Sequence, residues 1–330
     1  MPEGLALAFY AALLRLLTPF YLLRLWRRGA KEPLYRHALR ERLGLYSSQA
    51  EPGRLWIHAV SLGETRAASA LIDALRARDP SLKFLLTHST ATGREAGQAL
   101  LQNLGAGNAQ AWLPYDTPGA VRRFLRHWQP RLGVLMETEV WPTLQREAER
   151  AGLAMVLANA RLSEKSLRQG RRFAALLRPA ARRISLALAQ TEADAGRIRA
   201  MGTAQVQVAG NLKYDIAVDA GLVARGQAWA AQLGRPVLML AVSREGEEAA
   251  LLVEWVKQAA PRPLLIIVPR HPQRFDEVAT LIEAAGLTLS RRSRWADTPP
   301  ADALAADVWL GDSMREMPLY YGLAQAALLG

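Results

Sequence analysis

Residues 55–67 read L-W-I-H-A-V-S-L-G-E-T-R-A. An apolar run, 55–60, ends at Ser61-Leu62-Gly63, and Glu64 then opens an amphipathic pattern with Ala67, Leu71, Ile72 and Leu75 on one face. The pattern predicts a buried strand, a tight turn containing glycine, and a helix. In parallel α/β sheets the ligand crevice lies past the carboxyl ends of the strands, where helix N-termini present free N–H groups. Glu64 would stand in that crevice. Spacing leaves two uses open for it: proton transfer, or capping and complementing the helix dipole for roughly 0.3–1 kcal/mol.

The same alternation continues downstream. Strands are expected at 83–89, 110–115, 132–136, 154–159, 185–190 and 205–209. Helices are expected after 89, at 118–127, from Pro142, from 163 to 183 and at 192–201. Such spacing implies a parallel sheet covered on both faces. The strand 132–136 delivers Glu137, Thr138 and Glu139 to its carboxyl end. If it neighbours the first strand, Glu64 and Glu137 converge on one crevice and can share general-base and orienting work. The alternative is that one of these acids caps the helix at Pro142. The 163–183 helix carries Lys165, Arg168, Arg171, Arg172, Arg178, Arg182 and Arg183. A solvated basic face, or contact with anionic lipid or substrate phosphates, accounts for them.

After 213 the pattern starts again. Lys213 sits in the junction G-N-L-K-Y-D. A helix is expected at 223–232 and strands at 237–242, 264–268 and 307–310. Ser243 reads as an N-cap for the helix that carries Glu247 and Glu248. Pro269 and Arg270 succeed the apolar run 264–268, a place where an arginine suits a phosphate. Residues 326–330, A-A-L-L-G, read as the start of another strand, so this second sheet is expected to be incomplete.

The bulk composition narrows the function. The chain has 330 residues, a net charge of +12 and no cysteine. That length suggests about two domains, and the missing thiols exclude disulfides and thiolate metal sites. His37, His58, His88, His127 and His271 have no metal-ligand spacing, so no metal and no cofactor are expected. Neither a dinucleotide fingerprint nor a P-loop occurs. The excess positive charge suits anionic membrane, a phosphorylated substrate or nucleic acid. No aromatic platform or nucleic-acid motif accompanies it, which disfavours the last. Residues 5–26 are strongly apolar, interrupted by Arg15 and Pro19 and flanked by Arg24, Arg27, Arg28, Lys31, Arg36, Arg40 and Arg42. At roughly 20 residues the run is long enough to cross a bilayer; it also suits a helix lying on the membrane or packing on the body. The trailing charge places the chain after residue 26 on the cytoplasmic side.

Taken together, W-I-H-A-V-S-L-G-E-T, W-L-P-Y-D, M-E-T-E-V-W-P, A-N-A-R-L-S, G-N-L-K-Y-D, V-P-R-H-P-Q-R-F and G-D-S-M-R-E-M occur in this order over the whole chain. The set resembles the 3-deoxy-D-manno-octulosonic acid (Kdo) transferases of lipopolysaccharide synthesis. The resemblance implies an α/β fold of GT-B type, with two Rossmann-like doubly wound parallel-sheet domains and an N-terminal hydrophobic helix. The expected divisions are 1–44 for the anchor, 45–213 for the acceptor-binding domain and 214–330 for a truncated CMP-sugar domain. It implies transfer from CMP-Kdo to a lipid A precursor at the cytoplasmic face of the inner membrane, beside anionic lipids and without a metal. By the same resemblance Glu64 is the proton acceptor, and Glu137 and Lys213 are transition-state stabilisers. Pro269, Arg270, Met314, Arg315 and Glu316 contact CMP. The chain departs from the family at Arg244, where histidine is common, and at Arg315, where glycine is common. It also lacks the glycine-rich G-G-S…G-G-H-N-x-L-E segment that completes the CMP site. The competing readings are another GT-B sugar-nucleotide enzyme, such as an epimerase, and an inactive acceptor-binding remnant.

Overall fold

A computed structural model describes residues 2–216, 218–259 and 261–330, in two compact units, Met1–Ile216 and Ala217–Gly330. The first begins with helix α1 (Glu3–Arg28). It then alternates β1 (Leu55–His58), α2 (Leu62–Arg78), β2 (Phe84–His88), α3 (Ala91–Leu104), β3 (Ala109–Trp112), α4 (Pro118–Trp128), β4 (Leu132–Met136) and α5 (Pro142–Arg150). It closes with β5 (Met155–Ala160), α6 (Glu164–Arg172), α7 (Ala174–Arg182), β6 (Leu186–Ala189), α8 (Glu192–Met201) and β7 (Val206–Val208).

All strands are parallel, in the order β3-β2-β1-β4-β5-β6-β7. The chain winds one way from β1 and then the other, which puts the topological switch point between β1 and β4. Along β1, Trp56 enters one core layer with Phe124, Trp128 and Leu135. Leu55 and Ile57 enter the other with Ile72, Phe84 and Val134. A strand that must bury both faces has no polar side, hence the unbroken apolar run.

Three local expectations are corrected. The basic stretch 163–183 is two helices, not one, broken at Phe173. Both pieces pack on α8, and α7 packs in addition on α5 and α1. Neither Glu64 nor Glu137 caps α5: buried Asp116 accepts the Thr143 and Leu144 N–H groups at 2.9 and 2.7 Å. Ser243 is not an N-cap but the last residue of a strand, and its hydroxyl donates to buried Glu248 at 2.6 Å.

Helix α1 runs unbroken through Pro19 and is long and apolar enough to cross a membrane. It also lies along the body of its unit. Glu3 pairs with Arg183 at 2.7 Å near its start, Ala6, Leu7 and Ala11 are buried, and Tyr21 meets Tyr115 with ring centres 5.9 Å apart. Leu5, Phe9, Leu13, Leu16, Phe20, Leu23 and Trp26 remain exposed.

The second unit contains α9 (Ala220–Leu233), β8 (Val237–Ser243), α10 (Glu247–Trp255), β9 (Leu264–Pro269), α11 (Phe275–Ala284), β10 (Leu289–Arg291), α12 (Ala301–Ala305), β11 (Val308–Leu310), α13 (Met317–Leu323) and β12 (Ala326–Leu329). Its parallel sheet runs β10-β11-β9-β8-β12. Gly226 and Gly322 let α9 and α13 touch backbone to backbone, since a Cβ at either would strike the Leu319 or Val223 carbonyl.

Candidate active site

The switch point of the first sheet gathers acids from two chain segments. Glu64 stands in the first turn of α2, where Ser61 is the N-cap. The Val60 N–H donates to Glu64 Oε2 at 2.7 Å and the Ser61 hydroxyl to Oε1 at 3.1 Å. This is a capping-box contact displaced by one residue, so the capping use of Glu64 is real. It leaves further oxygen lone pairs free. Burial raises the Glu64 pKa, the two hydrogen bonds oppose that shift, and the charge of Glu137 adds to it.

Glu137 is the first residue past β4, the neighbour of β1. Its φ of 59° lies in the left-handed region, a conformation costly for a side chain of this kind and held here by surrounding structure. Its N–H bonds the Ala158 carbonyl at 2.9 Å. Its carboxylate accepts from Lys213 Nζ at 3.0 Å. Lys213 rides on a 3-10 turn, Leu212–Asp215. Asn159, only 2% exposed, ties that turn down by accepting the Leu212 N–H at 3.1 Å. Asn159 itself has φ 53°, which asparagine tolerates better than most residues. The expected trio Glu64, Glu137 and Lys213 is therefore brought together within one unit.

Sequence reasoning missed two neighbours of this trio. Glu139 has its pKa pushed up to about 7, first by burial and then by the charge of Glu64. The E-x-E spacing at a strand end was its only signal. Asn159 had none beyond its place in A-N-A-R. Carboxyls with separated proton affinities allow one to hold a proton while another accepts one.

In the second unit, β9 and β11 are neighbours, so the segments after them share one carboxyl edge. Pro269 is buried as the last residue of β9. Arg270 is exposed, its N–H donating to the Ser243 carbonyl at 3.0 Å. Met314 is 66% exposed, and exposed Arg315 has φ 68°. Glu316 differs: its carboxylate accepts from Arg292 at 2.8 Å and Arg225 at 3.1 Å, and also takes the Ser313 hydroxyl. That side chain ties the start of α13 to its surroundings.

Comparison with known proteins shows the family. A family model described as 3-deoxy-D-manno-octulosonic-acid transferase (kdotransferase) matches residues 37–216. The 3-deoxy-D-manno-octulosonic acid transferase of Bordetella pertussis is 44% identical over 332 residues, covering 97% of this chain and 76% of that protein. The Haemophilus influenzae protein of the same name is 33% identical, covering 98% and 76%. Among solved structures, UDP-GlcNAc 2-epimerase from Neisseria meningitidis bound to UDP-GlcNAc superposes with a TM-score of 0.53 over 84% of this chain and 77% of that one. At 13% identity that likeness concerns the fold alone, which is of GT-B type. An acid cluster at a doubly wound switch point, the ordered motifs and these relatives lead to one conclusion: the chain belongs to the 3-deoxy-D-manno-octulosonic-acid transferase family of glycosyltransferases.

Proposed function

We propose that this protein transfers Kdo from CMP-Kdo to a hydroxyl of a lipid A precursor in lipopolysaccharide synthesis, with Glu64 as the base. The observation that carries the reading is that Glu64 stands within electrostatic reach of the Glu137–Lys213 ion pair where the strand order reverses. The acceptor hydroxyl gives its proton to the Glu64 carboxylate. Its oxygen bonds to the anomeric carbon of Kdo as the bond from that carbon to the CMP phosphate oxygen breaks, and CMP departs with the electron pair. Burial raises the proton affinity of Glu64, which favours it as a proton acceptor. Glu137 offers negative charge to the positive charge developing on the sugar, and Lys213 offers positive charge to the departing phosphate. Pro269, Arg270 and the Met314-Arg315-Glu316 stretch form the CMP site of the second unit, with Arg270 and Arg315 supplying side-chain charge and Glu316 bracing the segment.

Helix α1 supports attachment to the inner membrane at its cytoplasmic face. One side is docked on the body, and the opposite apolar side, with Phe9, Leu16 and Phe20, is free to enter a leaflet rich in anionic lipid. The test is incubation of the purified chain with CMP-Kdo and a lipid A precursor. CMP release and a Kdo-bearing product by mass spectrometry are expected. CMP release no faster than without acceptor would reject the reading.

A further inference from the structure

A cavity of about 310 Å³ lies in the first unit where the segments after β2 and β3 meet the last turns of α1. Arg24, Arg28, Arg42, Ser89, Tyr115 and Trp141 are among its walls, and no acidic residue lines it. Arg42 is only 5% exposed. Its guanidinium donates to the Ser89 carbonyl at 3.0 Å and lies 4.1 Å from the Trp112 ring centre. The nearest acid in sequence, Glu41, is taken by Arg94 at 3.2 Å. Among the described residues Arg42 therefore has cation, ring and carbonyl neighbours but no carboxylate partner. A buried cation without a counter-charge is costly. The Tyr115 hydroxyl beside it is buried and unpartnered. Arg24 and Arg28 approach from α1, so the cavity exists only while that helix is docked.

We propose that this cavity binds a phosphate group, as monoester or diester, with Arg42 as the fixed inner charge, Tyr115 as a donor and Arg24 as the outer clasp, beside Arg28, which Glu32 holds at 2.9 Å. Its wall adjoins the acid cluster: the Ser89 N–H bonds the Val60 carbonyl at 3.4 Å, and the Val60 N–H is the one held by Glu64. Trp141, two residues past Glu139, approaches that carboxyl without reaching hydrogen-bond geometry. Helix α1 is thus a wall of the site as well as an attachment. A phosphate on the glycosyl acceptor and a phospholipid headgroup present the same chemistry. Assigning the first rests on the transferase reading; the anion site itself does not.

The test uses the full chain in detergent, with calorimetric titration of glucosamine 1-phosphate against glucosamine. Co-sedimentation with phosphatidylglycerol vesicles against phosphatidylcholine vesicles is the second arm. Binding of the sugar phosphate but not the sugar is expected, weakened about tenfold in Arg24→Gln, the size of one lost charge-assisted hydrogen bond. A preference for phosphatidylglycerol that Arg24→Gln removes, with no sugar-phosphate binding, assigns the site to a headgroup. Absence of any Arg24-dependent binding in both arms overturns the proposal. Arg24 is exposed, so its variant remains informative if Arg42→Gln does not fold. Kdo transfer without such binding would overturn the anion site and leave the transferase reading standing; binding without transfer would do the reverse.

Discussion

The switch point of the first unit and the core of the second shelter their acids in opposite ways, although elsewhere in the first unit buried Glu147 and Asp194 also pair with arginines, Arg150 and Arg197, at 3.0 Å. In the second, the two buried carboxylates and the half-buried Glu316 each meet a guanidinium: Glu248 with Arg274 at 2.8 Å, Asp312 with Arg291 at 2.7 Å and Glu316 with Arg292 at 2.8 Å. In the first, Glu64 and Glu139 at the switch point are partly desolvated with no guanidinium partner, and Lys213 is committed to Glu137. A carboxylate sheltered beside arginine stays ionised and fixes shape. One sheltered without it gains affinity for a proton. The same residue type becomes a brace where an arginine meets it and a candidate base at the switch point, where none does.

The sharpest way to break this contrast is Glu64→Gln. The isostere keeps the size and the local capping but cannot accept the proton. Kdo transfer is expected to fall about 10²–10⁴-fold, with circular dichroism and melting temperature little changed; a loss smaller than tenfold would put Glu64 among the braces. Next is Glu248→Ala. Glu248 is fully buried, so removing it leaves the Ser243 hydroxyl without its acceptor and leaves Arg274 to Glu277 alone. A cost of about 2 kcal/mol is expected from the lost buried hydrogen bonds, read as a lowered urea midpoint.

Glu139→Gln tests the sign of the effect. The folded-state pKa of Glu139 is raised to about 7 from an ordinary 4.5. The folded state then holds its proton to higher pH than the unfolded state does, so wild-type stability falls as pH rises through that window. The variant should unfold at a higher temperature than wild type at pH 8 and show no such advantage at pH 4. An advantage independent of pH would show that Glu139 is not titrating there. The smallest effect is expected for Arg315→Gly. Arg315 has φ 68°, and glycine would relieve about 1 kcal/mol of backbone strain, visible as a slightly higher unfolding midpoint. No gain would mean that the guanidinium itself stabilises the turn.

Much of the fold was legible because its signals are local. The apolar run at 55–60 and the Ser61–Glu64 cap specify a strand, a turn and a helix within a dozen residues. Pro142 marked the start of α5 in the same way. The failures were those of range. The acid that caps α5 is Asp116, from a segment 27 residues upstream of Thr143. The break at Phe173 accompanies the additional packing of α7 on α5 and α1, and helix periodicity is blind to it. Ser243 resembled an N-cap until its strand ran one residue further and its hydroxyl turned to Glu248.

The site divides along the same line. Sequence alone determined that Glu64 opens the helix after one strand and that Glu137 directly follows another, because strand length and helix onset are written in neighbouring residues. It also carried the ordered motifs that mark the family. Tertiary structure decided that β1 and β4 lie side by side, that Asn159 tethers the turn bearing Lys213, that Glu139 loses its water and that Arg42 is buried without a carboxylate. Proton affinity and charge balance depend on solvent exclusion and on groups far along the chain, and only folding brings those together.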